Sequence, residues 1–177
     1  MNNKLQRAVT ASMLAAMTTI ATMIIKVPTI GTNGYVNIGD SIVLVAAWVL
    51  GNPYGAIAAG IGSGLADLLS GYPAYIPGTV IIKFLMALAA AAVFKAASRK
   101  GVHPAIGYVS SSIVAEVIMV LGYFLYEATF LGYGVGAAAS MISNAIQGIT
   151  CLVLGNAIIQ VLMKIKYFKV ITENVRK

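Results

Sequence analysis

Apolar stretches long enough to cross a membrane recur along the whole chain, parted only by short breaks rich in Gly, Pro or Lys/Arg. About 20 apolar residues carry a helix across the hydrocarbon core, so a 177-residue chain of this pattern holds about six crossings with short loops. Hydrophobic residues make up 59% of it and charged residues 10%, where soluble domains carry roughly 25% charge. A water-soluble fold of this size could not hide so much apolar surface in one core. The expected fold is therefore an all-α integral membrane protein. It is read as one compact bundle of six transmembrane helices, a single domain over residues 1–177.

The breaks set the segments. Segment one covers about Leu5 to Val27 and stops at Pro28, and the Gly-, Thr- and Asn-rich stretch Thr29 to Asn37 reads as a loop. Segment two, about Ile38 to Leu50, ends at Gly51-Asn52-Pro53. Segment three runs from Tyr54 to Ser70, before Gly71 to Pro77 with its two prolines. Segment four covers about Gly78 to Ala97, segment five Ala105 to Tyr126, and segment six Val135 to Met163, ahead of a basic tail.

Positive charges give the orientation. Lys4 and Arg7 precede segment one; Lys95, Arg99 and Lys100 close segment four; Lys164, Lys166, Lys169, Arg176 and Lys177 follow segment six. An even number of crossings puts all three clusters on one side, so both termini are expected in the cytoplasm. The opposite loops hold almost no cation except Lys26. The net charge of +7 does not signal nucleic acid, because no Lys/Arg run is interleaved with aromatics. Cys151 is the only cysteine, which excludes an intramolecular disulfide.

Ionisable residues inside a membrane are expensive and mark function. Asp40, Asp67, Lys83, Glu116 and Glu127 all fall from mid-membrane outward, which points to a polar cavity open to the outside. Glu116, Val120, Tyr123 and Glu127 share a face of segment five; Ser140, Asn144, Gln147 and Cys151 share one on segment six. Asn and Gln offer donors and an acceptor, a set suited to a hydroxylated heteroaromatic ring. Tyrosines 35, 72, 75, 123 and 126 either cover such a ring or form an interfacial belt. Asp67 and Lys83 either neutralise each other or contact ligand. Ala56, Gly60 and Gly64 in segment three, and Ala8, Ala11 and Ala15 in segment one, allow close helix approach.

Several chemistries are missing. The chain has no GxxxxGK[ST] loop to hydrolyse ATP, no metal-ligand constellation, and no GxSxG or HExxH motif. No catalytic residue and no bound cofactor or metal is expected.

In this setting the chain resembles the substrate-binding S components of energy-coupling factor (ECF) vitamin transporters. The resemblance rests on Ala11-x-x-x-Ala15, on Gly34 to Ser41 (GYVNIGDS), and on Gly55 to Pro73 (GAIAAGIGSGLADLLSGYP) followed by Pro77 and Lys83. Asn144-x-x-Gln147 completes it. It implies a capture subunit in a prokaryotic plasma membrane that binds a micronutrient from outside. It also implies partners: a transmembrane coupling protein and two cytoplasmic ATPases that use ATP. The expected substrate contacts are Asn37, Asp40, Tyr75, Lys83, Glu116, Tyr123, Asn144 and Gln147, with Ala11 and Ala15 docking the coupling subunit. Among family members the chain looks most similar, around its tyrosine-rich loops and Glu116, to the pyridoxine or hydroxymethylpyrimidine type. A riboflavin-type S component is the next choice, and a stand-alone proton-coupled transporter or a carboxylate-pair intramembrane enzyme are further alternatives.

Overall fold

The structure is a computed structural model that describes residues 3–176; Met1, Asn2 and the last basic residue, Lys177, lie outside it. Seven helices and one small ribbon follow in chain order. They are α1 (Asn3–Ile24), β1 (Lys26–Pro28), β2 (Tyr35–Asn37), α2 (Asp40–Leu50), α3 (Tyr54–Ser70), α4 (Ile76–Arg99), α5 (Pro104–Leu125), α6 (Ala138–Leu162) and α7 (Lys166–Arg176). A π-helical turn, Tyr126–Phe130, extends α5, and a 3₁₀ turn, Gly134–Ala137, leads into α6.

Four of these stretches are long and apolar enough to cross a membrane: Lys4–Ile24, Ile76–Arg99, Pro104–Phe130 and Gly134–Leu162. The sequence makes segment two a full crossing, but α2 has only 11 residues, about 16 Å of helix, half the hydrocarbon thickness. Every residue of α2 is buried, and it touches α1, α3, α4, α6 and α7. A helix that is apolar all round belongs inside a core. Because protein rather than lipid surrounds it, it need not span the bilayer.

Small residues bring the helices around it together. A methyl group on Gly62 would sit 2.5 Å from the Ala15 carbonyl oxygen, and one on Gly60 3.0 Å from the Val80 carbonyl oxygen, so α3 approaches α1 and α4 at backbone distance. Thr19 Oγ1 donates to Gly62 O at 2.8 Å across the first of these seams.

Two elements depart from the sequence reading. The end of segment one and the Thr29 to Asn37 loop fold together as an antiparallel ribbon, with Lys26 opposite Asn37 and Pro28 opposite Tyr35. The basic tail is the helix α7, which buries Ile171, Thr172 and Val175 beneath α2 and α4. At the same end, Arg7 Nη2 donates to Leu50 O at 2.7 Å, and the Thr10 and Tyr167 hydroxyls lie 2.7 Å apart. The Arg7 cation thus meets the negative C-terminal end of α2. The amino-terminal turn of α1 and the carboxy-terminal α7 thereby share one end of the bundle.

Candidate functional site

At the other end of α2 the polar side chains converge. Asp40 opens the helix and is 1% exposed. Lys83 Nζ from α4 donates to Asp40 Oδ1 at 2.5 Å, and Gln147 Nε2 from α6 donates to Oδ2 at 2.6 Å. Gln147 Oε1 accepts from the Asn37 backbone N–H at 2.6 Å, which ties the ribbon to α6. The Lys83 ammonium also lies 5.1 Å from the centre of the Tyr123 ring. Each member of the chain Asn37–Gln147–Asp40–Lys83 satisfies the next, as buried polar groups must. Of the two roles left open for Asp67 and Lys83, mutual neutralisation is not the one seen, since Lys83 pairs with Asp40. Asp67 instead accepts from the Tyr35 hydroxyl at 2.7 Å, while α2 offers Lys83 a nearer carboxylate in Asp40.

A second network lies under the tip of the ribbon. The π-helical turn points Glu127 inward, 2% exposed, where Oε1 accepts from Tyr75 at 3.0 Å and Oε2 from Ser140. Such turns recur at functional sites because they re-aim one side chain. Gly34 packs so closely against Tyr75 and Glu127 that an added methyl group would lie 3.2–3.3 Å from their oxygens. Burial first, and then the Asp67 carboxylate, push the Tyr35 phenol above its usual range, so it stays a donor at ordinary pH.

Together these groups enclose a polar cavity lined by Thr22, Thr29, Tyr35, Asn37, Ser63, Asp67, Tyr75, Thr79, Lys83, Tyr123, Glu127, Asn144 and Gln147. Its free volume is about 20 Å³, room for a single water molecule. Asn37, Tyr75, Lys83, Tyr123, Asn144 and Gln147, expected from the sequence, all line it. Asp40 lies just behind, holding Lys83 and Gln147. Glu116 does not line it; it faces a separate groove between α5 and α6. Glu127, one of the ionisable residues that point to a cavity, lines it as well, whereas Thr22, Ser63 and Thr79 escape the sequence reading. Hydroxyls in membrane helices usually bond their own backbone, which leaves no outward signal. Among the described residues, no three His, Cys, Asp or Glu side chains gather to hold a metal ion.

Ala11 and Ala15 sit on α1 beside a shallow groove of about 320 Å³, completed by Ser12 and Ala16 and by Ile57, Ala58, Ile61 and Leu65 of α3. Ala15 shares its backbone with the Gly62 contact, whereas Ser12 and Ala16 are exposed.

The class of protein these features define is an apolar helix bundle of membrane-spanning length, closed around a polar cavity. Its fold matches a solved chain described as the S component of a bacterial ECF transporter, with a TM-score of 0.67 and 20% identity, covering 92% of this chain and 98% of that one. A protein of Pyrococcus woesei, described only as an uncharacterized protein in the gap 3' region, is 28% identical over 146 residues, which is 82% of this chain and 94% of the relative. Residues 2–164 match the family of the ECF-type riboflavin transporter, S component, and the chain belongs to that family.

Membership makes it a transporter component rather than an enzyme, a multi-pass protein of a prokaryotic plasma membrane that works in an ECF module with a coupling protein and ATPases. It also corrects the closer resemblance drawn from the sequence. The family is the riboflavin type, not the pyridoxine or hydroxymethylpyrimidine type. The cues behind that assignment were the tyrosine-rich loops and Glu116. Tyr35, Tyr72 and Tyr75 pack on one another, with ring centres 4.6 and 6.4 Å apart, and Glu116 lies outside the polar cavity. Neither feature measures the size of a ring system.

Proposed function

We propose that this chain captures riboflavin, or a close isoalloxazine relative, from the outer face and presents it to an ECF module. The observation that carries the reading is the family match over residues 2–164, joined to a cavity whose lining is almost wholly polar or aromatic. The isoalloxazine offers a flat ring for Tyr75 and Tyr123 and an edge of alternating C=O and N–H groups. Asn144 and Gln147 complement such an edge with one donor and one acceptor each. Asn37 and Lys83 supply further donors, and Asp40 keeps Lys83 and Gln147 in place.

With about 20 Å³ free, no vitamin enters without movement. The ribbon is the element to move, since its ends are short and its hold on the bundle is a few hydrogen bonds, Tyr35–Asp67 and Asn37–Gln147 chief among them. We read the topology as six helices, α1 to α6, running back and forth between two faces in one domain over residues 1–177, α2 making its short pass enclosed by the others, with both termini cytoplasmic. The gathering of Arg7, Tyr167 and α7 at one end supports it, as does the positive-inside rule. The α1–α3 groove beside Ala11 and Ala15 suits a helix of the coupling protein, because small side chains admit a second backbone closely.

The test is a titration of riboflavin fluorescence with the purified chain in detergent, without nucleotide. Saturable quenching at one site is the expected result. Failure of riboflavin to bind, with a different small molecule released from the purified protein on denaturation, would overturn the reading.

A further inference from the structure

Between α5 and α6 lies a second cavity of about 400 Å³ that shares no lining residue with the polar one. Ile113, Val117, Val120 and Leu121 form one wall; Ile149 and Leu152 form much of the other. Val117 is 51% exposed and Ile149 67% exposed, so in a membrane the groove opens on lipid. Its volume falls in the range of small-molecule sites, roughly 300–1,000 Å³. Its lining has one polar side chain, Glu116.

Glu116 is 6% exposed, and neither carboxyl oxygen has a hydrogen-bond partner. The charged groups within electrostatic reach are Asp40 and Lys83, and Lys83 is already committed to Asp40 at 2.5 Å. Opposite it, Gly148 leaves the α6 wall low; a methyl group there would lie 3.1 Å from Glu116 Cβ. The residue sits near the middle of α5, at the depth where an ionisable group is most costly. Both oxygens are enclosed at the wall of an apolar groove and lack a donor that the protein does not provide, and the groove's open side faces the bilayer. A hydroxyl would bring one proton. An ammonium brings three donors and the complementary charge.

We infer that the α5–α6 groove is a second binding site, taking a lipophilic ammonium that enters from the bilayer, its apolar body along Val117 and Ile149 and its ammonium on Glu116. The site is independent of the vitamin cavity and of the vitamin's identity.

The experiment is a ¹⁹F NMR titration of ω-trifluorinated octylammonium into zwitterionic nanodiscs holding the full chain, with the matching octanol and protein-free discs alongside. The expected result is saturable, one-site binding of the amine, weakened about 10- to 100-fold by Glu116→Gln, the usual worth of a hydrogen bond to a charged group. Val117→Trp, which fills the groove, abolishes amine binding and leaves the riboflavin titration unchanged. Amine uptake equal to protein-free discs, octanol binding as tightly as the amine, or unchanged affinity in Glu116→Gln overturns the inference. Loss of riboflavin binding in Val117→Trp overturns the independence of the two sites. The amine titration requires no vitamin, so its failure and that of the riboflavin reading are separate results.

Discussion

Lys83 and Asp40, 43 residues apart in sequence, form a buried ion pair at 2.5 Å where α2 begins. The pair joins the most enclosed helix to α4, and through Gln147 to α6. Three helices and the ribbon therefore depend on one carboxylate.

Breaking that pair strands a charge in the bundle, which costs about 3–5 kcal/mol. Asp40→Asn and Lys83→Met are each expected to lower the thermal midpoint in detergent sharply. The double variant Asp40→Asn with Lys83→Met should cost clearly less than the sum of the single changes. Additive losses would mean the two side chains act separately.

Gln147 holds both the ribbon and Asp40. Gln147→Ala is expected to weaken riboflavin binding by about 1–3 kcal/mol, the cost of leaving buried partners unpaired, or roughly 10- to 100-fold in Kd. Fluorescence titration reads it directly, and an unchanged Kd would remove Gln147 from the pocket.

Tyr35 fastens the ribbon through Asp67, whose second oxygen already lacks a partner. Tyr35→Phe is expected to raise hydrogen exchange across Lys26–Asn37 while the bundle helices stay protected. The phenol is raised above its usual value, so its contribution is intact below the unfolded value of about 10 and fades as pH rises beyond it. Exchange rates in the ribbon, corrected for intrinsic chemistry, should thus be flat from about pH 6 to 9. A step near neutrality would point to another group.

On α1, Ala16 is exposed in the groove, whereas Gly62 of α3 meets the α1 backbone. Ala16→Trp is expected to abolish vitamin uptake by the assembled transporter and leave riboflavin binding by the isolated chain intact. Gly62→Val should instead separate α1 from α3 and cost about 1–3 kcal/mol of stability through overpacking. If Ala16→Trp supports normal uptake, the coupling protein docks elsewhere.

Local chemistry made much of this protein legible from its sequence. Apolar runs and their Gly, Pro and Lys/Arg breaks determined a membrane helix bundle, because hydropathy and helical period are properties of neighbouring residues. The same rule singled out Lys83, Tyr123, Asn144 and Gln147, since polar groups in apolar helices are costly enough to stand out. Only the tertiary structure decided how they are shared. It gave Lys83 to Asp40 rather than to Asp67, made α2 an enclosed half-length helix, and folded the tail under it as α7. It turned a Gly-rich loop into a ribbon over the cavity and placed Glu116 in a groove of its own. Those outcomes depend on which of several polar groups comes nearest across elements 43 to 110 residues apart, and spacing along one chain does not encode that distance.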